Sequence, residues 1–387
     1  VKKNGICSNE VTMNLYLELT TFPKELANSS FKYELYKNDV KVTNGNFSNK
    51  KQGDTITLIS NEILNTSKDL YTLYIYIDGN VDNPIEMAGN SFLFKVWGSG
   101  TGAIYKENVI TPAENPSSGS SKFFDTDIMR NQIETITIAD SNKVPEEEGM
   151  VSKDISSNKD GTVMLWYKKN NNGNYDMWLG GENGVLQANT NASGMFAYLT
   201  NVEKLDLSKL DTTYITNMSK MFYSSSGLKE INLSNFNTSR VTDMSYMFYG
   251  CSSLTTIDVS NFDTSKVTNM IGMFNSCSNL TTLDLSNFDT SNVEYMGTGG
   301  FWSYGGMFQE CSNLTALDLS NFNTLKVKQM GNMFCGCKSL TTLDLSNFDT
   351  SNVTTIGQMF AGCKSLTNIN LSSFNTAKLT SMFAMFF

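Results

Sequence analysis

Histidine is absent from all 387 residues. That absence removes, within this chain, the Ser-His-Asp and Cys-His nucleophile systems, histidine acid–base work and most zinc sites. Charge is also scarce: 17% of residues are charged, the net charge is −9, and no run of Lys and Arg gathers the positive field that nucleic acid or an anionic membrane requires. Long apolar runs are missing too. Tyr71 to Ile77, interrupted by Thr72, is far short of the roughly 20 residues that span a bilayer. There is no charged-then-apolar leader, and the last motif stops partway, so the chain is expected to continue beyond both ends. The expectation is a non-enzyme with no cofactor.

What the chain has in quantity is repetition. The stretch LTTLDLSNFDTSNV occurs identically at Leu280–Val293 and Leu340–Val353. The second apolar residue of an L-x-L unit falls at Leu207, Leu233, Val259, Leu285, Leu319, Leu345 and Leu371, in steps of 26 with one step of 34. Aligned on that register, a leucine column runs from Leu228 to Leu366 and a phenylalanine column from Phe236 to Phe374, both expected in a core. The L-x-x-L-x-L part alternates like a half-buried strand. Val241, Met244, Met247 and Phe248 are then spaced by three and four, which predicts one face of a short helix, with Thr238 and Ser239 placed to cap it. A unit that cannot bury its own apolar face must stack on its neighbours.

The frame L-D-L-S-N-F-D-T-S-x-V-T-x-M-x-x-M-F-x-G-C resembles the BspA-like bacterial surface proteins, a leucine-rich-repeat family, over Val202 to Phe387. The resemblance implies a curved solenoid displayed outside the cell, with adhesion or host contact as its work. The expected fold is multidomain: an all-β sandwich over 1–98, a linker over 99–122, a β-rich N-terminal cap over 123–200, and a seven-copy solenoid over 201–387 with one strand and one short helix per repeat. The first 98 residues also resemble TasA-type and immunoglobulin-like sandwiches, on short β-rich segments separated by Asn, Gly, Lys and Ser turns. In the cap, Asn170 to Gly173 signals a hairpin that would pair Trp166 with Trp178, for core packing or for a lectin-like contact.

Five cysteines, Cys251, Cys277, Cys311, Cys337 and Cys363, share one column in which Ser225 takes the first place. A buried thiol ladder and bridging between neighbouring copies are both open readings. Asp78, Asn80 and Asp82 alternate as calcium ligands would, though a turn is the plainer reading. Two surfaces stand out as ligand-binding candidates. One is the acid row on the strand face, with Asp258, Asp284, Asp318 and Asp344; the other is the insertion of eight residues, where Phe301, Trp302 and Tyr304 sit among glycines. The resulting expectation is an extracellular, surface-bound or secreted protein that binds a host or matrix protein or a glycan. Self-association is the alternative, as a subunit of a surface layer, fibre or biofilm matrix.

Overall fold

The computed structural model describes residues 6–7, 11–22, 27, 29, 31–64, 71–77, 93–101, 105–106, 108–112, 115–299 and 304–387. The chain divides into two compact units, Val1–Glu107 and Asn108–Phe387.

In the first unit, β1 (Ile6–Cys7) pairs with β8 (Tyr105–Lys106). Strand β2 (Val11–Thr21) lies between β5 (Thr55–Leu64) and β7 (Leu93–Thr101), and β3 (Phe31–Lys37) lies between β4 (Val40–Asn46) and β6 (Tyr71–Ile77), all antiparallel. Asn38 and Asp39, both with positive φ, make the tight turn that joins β3 to β4. Period-two alternation turns Leu15, Leu17 and Leu19 of one sheet and Phe31, Tyr33 and Leu35 of the other into a common core, closed by Phe22, Phe47, Ile56 and Leu58. Strand β7 ends at Thr101, within the stretch expected as a linker, and Val109 and Ile110 are already buried in the second unit.

The second unit opens with β9 (Ile133–Ala139), β10 (Val151–Asp154), β11 (Val163–Lys169) and β12 (Tyr175–Gly181), ordered β10-β11-β12-β9. The β11–β12 hairpin places Trp166 opposite Trp178, and Trp166 is buried. From residue 191 onward the repeats lie side by side. Parallel bridges join Asn191, Asn217, Asp243, Asn269, Tyr295, Gln329, Thr355 and Ser381 in succession. Short parallel pairs flank them: β13 (Leu186–Gln187) with β15 (Leu210–Asp211), β14 (Lys204–Asp206) with β16 (Glu230–Asn232), and β17 (Thr342–Asp344) with β18 (Asn368–Asn370).

This corrects the expected fold class. Among the described residues the helical content is two 3-10 turns, at Arg130–Gln132 and Glu182–Gly184, and neither lies in a repeat. The sheets of the repeats are two-stranded and short, so the described residues do not form a leucine-rich solenoid with a helix per repeat. The reason lies in the direction of the amides. Those of Met247, Tyr249 and Cys251 close turns on carbonyls three residues back, at 3.1–3.3 Å, whereas those of Met244, Tyr246, Phe248 and Gly250 bond the next repeat at 2.7–3.0 Å. A helix would turn every amide back onto its own segment. Tyr246 and Gly250, at φ 57° and 71°, break the helical path twice within five residues. The spacing of three and four survives because consecutive turns also bring Val241, Met244, Met247 and Phe248 to one side, where all are buried.

The interior is built from columns. Phe222, Phe248, Phe274, Phe308, Phe334 and Phe360 stack ring on ring at 5.4–6.0 Å. In the column read from the sequence, Phe236–Phe262 and Phe322–Phe348 stack at 6.4 and 6.5 Å. Three rows of side-chain bonds then stitch repeat to repeat. Thr238, expected to cap a helix, instead donates to a backbone carbonyl of the next repeat, as do Thr212, Thr264, Thr290, Thr324 and Thr350, at 2.9–3.2 Å. Asn261, Asn287, Asn321 and Asn347 each donate to two carbonyls of the previous repeat at 2.9–3.0 Å. The column cysteines are free thiols, each donating to a phenylalanine carbonyl of the previous repeat at 3.0–3.1 Å, and Ser225 does the same at 2.8 Å.

Arg130 closes the leading edge. It is fully buried, and one guanidinium nitrogen donates to the carbonyls of Gly194, Met195 and Ala197 while Nε donates to that of Lys122. One repeat later, Met221 and Tyr223 hold the positions of Met195 and Ala197, and their carbonyls accept amides from Phe196 and Tyr198. Arg130 therefore supplies the donors that a preceding repeat would supply.

Candidate functional surfaces

Asp258, Asp284, Asp318 and Asp344 are exposed and repeat in register. In each, Oδ1 accepts the amide two residues on, from Ser260, Ser286, Ser320 and Ser346, at 2.9–3.0 Å. Those serine bonds hold all four carboxyls below their usual range. An acid–base pair needs two carboxyls pushed apart in pKa, and this row shifts every member the same way. Among the described residues no group of three or more acids or cysteines is placed to hold a metal ion. The calcium candidates Asp78, Asn80 and Asp82 lie outside the described residues.

The insertion is spliced in at a narrow neck. The amide of Met307 bonds the carbonyl of Met296 at 2.9 Å, Thr298 continues the ladder to Gly331, and Gly272 bonds Gly305. Register on both sides is preserved. Tyr304 is 66% exposed, while Phe301 and Trp302 lie outside the described residues. The glycines at the neck answer to close packing. A Cβ on Gly306 would sit 1.8 Å from the Asn332 carbonyl oxygen, whereas one on Gly299 meets nothing nearer than 3.5 Å. Gly306→Ala is expected to cost about 1–3 kcal/mol and Gly299→Ala well under 1 kcal/mol, read from chemical unfolding midpoints.

Two surfaces were not singled out by the sequence reading. A groove of about 650 Å³ is lined by Glu134, Thr135, Asn174, Asn201, Glu203 and Lys229, among others. Glu134 accepts amide protons from Asn170, Asn172 and Asn174 at 2.9, 2.7 and 3.3 Å, which lowers its pKa, and Lys229 pairs with Glu203 at 2.6 Å. The opposite charges of Glu203 and Lys229, one repeat apart, were the available sequence signal. Beside the first repeats, Tyr223 stacks on Tyr249 at 4.5 Å and meets Tyr198 edge-on at 5.4 Å. Burial is the main cause that pushes the Tyr223 phenol up to about 12.

The parallel bridges repeated in register from Asn191 to Ser381 define a class of β-repeat protein. The chain belongs to the family described as Mycoplasma protein of unknown function, DUF285, whose sequence profile matches residues 190–299 and 302–387, just over half its length. No curated protein and no solved structure matches it. The BspA-like resemblance is corrected on both counts: the matching family is a different one, and the described residues of the repeats form no helices. With the leucine-rich solenoid goes the adhesion role that was assigned to that architecture. No helix among the described residues is long and apolar enough to cross a membrane.

Proposed function

We propose that the chain is a non-catalytic spacer, with the repeat ladder of the second unit as its stiff element. One observation carries this reading. Every repeat boundary from Thr212 to Asn375 is crossed by a buried threonine bond to a backbone carbonyl as well as by the backbone bridges. Each such bond contributes about 1 kcal/mol net, and the chemistry of the side chains is spent on holding repeats together. Ion pairs across the same boundaries, Lys229–Glu203, Lys328–Glu294 and Lys338–Glu310, are exposed and add little.

A spacer must resist extension, and single-molecule stretching of the full chain tests that. Release of one 26-residue repeat adds about 90 Å of contour. The expected trace is a sawtooth whose steps from the second unit are multiples of that length, apart from the longer repeat that carries the insertion. A smooth extension without steps would reject the spacer reading.

A further inference from the structure

The outer face of the β4–β3–β6 sheet in the first unit has a composition that its position does not require. With Phe31, Tyr33 and Leu35 turned to the core, the alternate residues Lys32, Glu34 and Tyr36 of β3 face outward. The register sets Glu34 between Asn44 of β4 and Tyr74 of β6, and Lys32 between Asn46 and Tyr76. Tyr74 and Tyr76 are 54% and 38% exposed. Two residues apart on one strand, they stand about 6.7 Å from each other along the sheet.

These rings are held in place. Tyr36 donates its hydroxyl proton to Glu34 Oε2 at 2.9 Å, Tyr76 also bonds Glu34, and Lys41 meets Glu34 Oε1 at 2.5 Å while lying over the Tyr36 ring at 5.7 Å. Tyr74 packs edge-on against Tyr36 at 5.4 Å. Glu34 thus fixes Tyr36 and Tyr76, Tyr36 in turn holds Tyr74, and Glu34 is itself neutralised by Lys41. An outward sheet face needs only to be polar, and scattered Lys, Thr and Asn would serve. Ordered, partly exposed aromatics with little rotamer freedom left to lose are what a binding surface requires.

We propose that this face is a binding platform for an uncharged polysaccharide chain. The choice of occupant follows from the charge and shape of the face. Its carboxylate already has a lysine and two phenols, so it offers no open anion to a basic partner. A sugar ring presents a face of C–H bonds with slight positive character to the negative face of an aromatic ring, and hydroxyls at its rim. Asn44 and Asn46, both exposed, supply polar groups for those hydroxyls beside the rings: Asn44 a donor and an acceptor, and Asn46 its amide donors, since its Oδ1 already accepts the Ser48 amide at 3.0 Å. The platform lies in the first unit and is independent of the spacer reading of the second.

Affinity electrophoresis of the full chain tests the proposal, in gels cast with hydroxyethyl cellulose, barley β-glucan, galactomannan or dextran, and with hyaluronate as the charged comparison. The expected result is retardation by at least one of the four uncharged polymers, little changed by salt. The double substitution Tyr74→Ala with Tyr76→Ala is expected to weaken it about tenfold or more. Tyr74→Phe should retain it, because the ring rather than the hydroxyl makes the contact. Both variants should keep the parent's circular dichroism and unfolding midpoint. Three outcomes overturn the proposal: no retardation by any uncharged polymer, retardation by hyaluronate alone that salt abolishes, or unchanged retardation of the folded double variant.

Discussion

Above a pH of about 8.5, where an unfolded cysteine ionises, the second unit is expected to lose stability at about 1.4 kcal/mol per pH unit for each buried thiol. Desolvation pushes the Cys251 thiol up to about 12 and those of Cys277, Cys311 and Cys337 well above their ordinary value. The folded pKa is raised, so the folded chain keeps a proton that the unfolded chain releases. Stability is therefore whole below the unfolded pKa and declines as the pH climbs toward the folded one. Four such thiols acting together make the decline steep. Urea midpoints measured between about pH 7 and pH 10, with unfolding slopes held constant, read it directly. Ser225 already fills the same column and makes the same bond to a carbonyl, so serine at 251, 277, 311 and 337 should fold and should flatten the curve. A curve already flat in the parent, or equally steep in the serine variant, would remove the thiol column as the cause.

The second large effect is expected from Arg130. Replacing it with Met leaves the Met195 and Ala197 carbonyls without their donor in a dry site, while Gly194 keeps only the amide of Ala197, at a cost of about 3–5 kcal/mol. Arg130→Lys is expected to recover little of it. A single ammonium cannot serve both the Lys122 carbonyl and the repeat edge while also covering the Phe123 ring, whose centroid lies 5.1 Å from the guanidinium carbon. In a chain stabilised by neighbour contacts the loss should begin at that end, with amide protection falling first at 194–225 and last at 330–360. A Met variant within about 1 kcal/mol of the parent would show that Arg130 is not the donor that closes the ladder.

The sequence made the columns legible and misread how the backbone connects them. Leu205, Leu207, Leu233, Val259 and Phe262 are buried as their recurrence predicts. The helix rested on spacing and on Thr238 and Ser239 as caps, and spacing of three and four belongs equally to consecutive turns, while Thr238 bonds the next repeat instead. A corrective signal was present: one column carries Gly194, Gly272 and Asn332, another Gly250, Gly336 and Gly362, and all six adopt positive φ. Two left-handed positions four apart exclude a helix. Arg130 left no such trace, because a single buried arginine has no period. Nor did the platform around Glu34, although Tyr74 and Tyr76 alternate along one of the β-rich segments of the first 98 residues. The missing step was to ask which way the alternate residues face.

The neck between Met296 and Met307 bears on how such a chain changes length. The identical stretches 280–293 and 340–353 flank it, so an unequal exchange between their coding segments joins Val293 directly to Thr354 and excises the insertion with the intervening residues. The amide of Glu294 bonds the carbonyl of Thr268 and that of Thr354 bonds Lys328, the same step in the ladder, so the shortened chain re-enters register without a mismatched rung. One such exchange would thus remove length and loop together while the backbone ladder keeps its register.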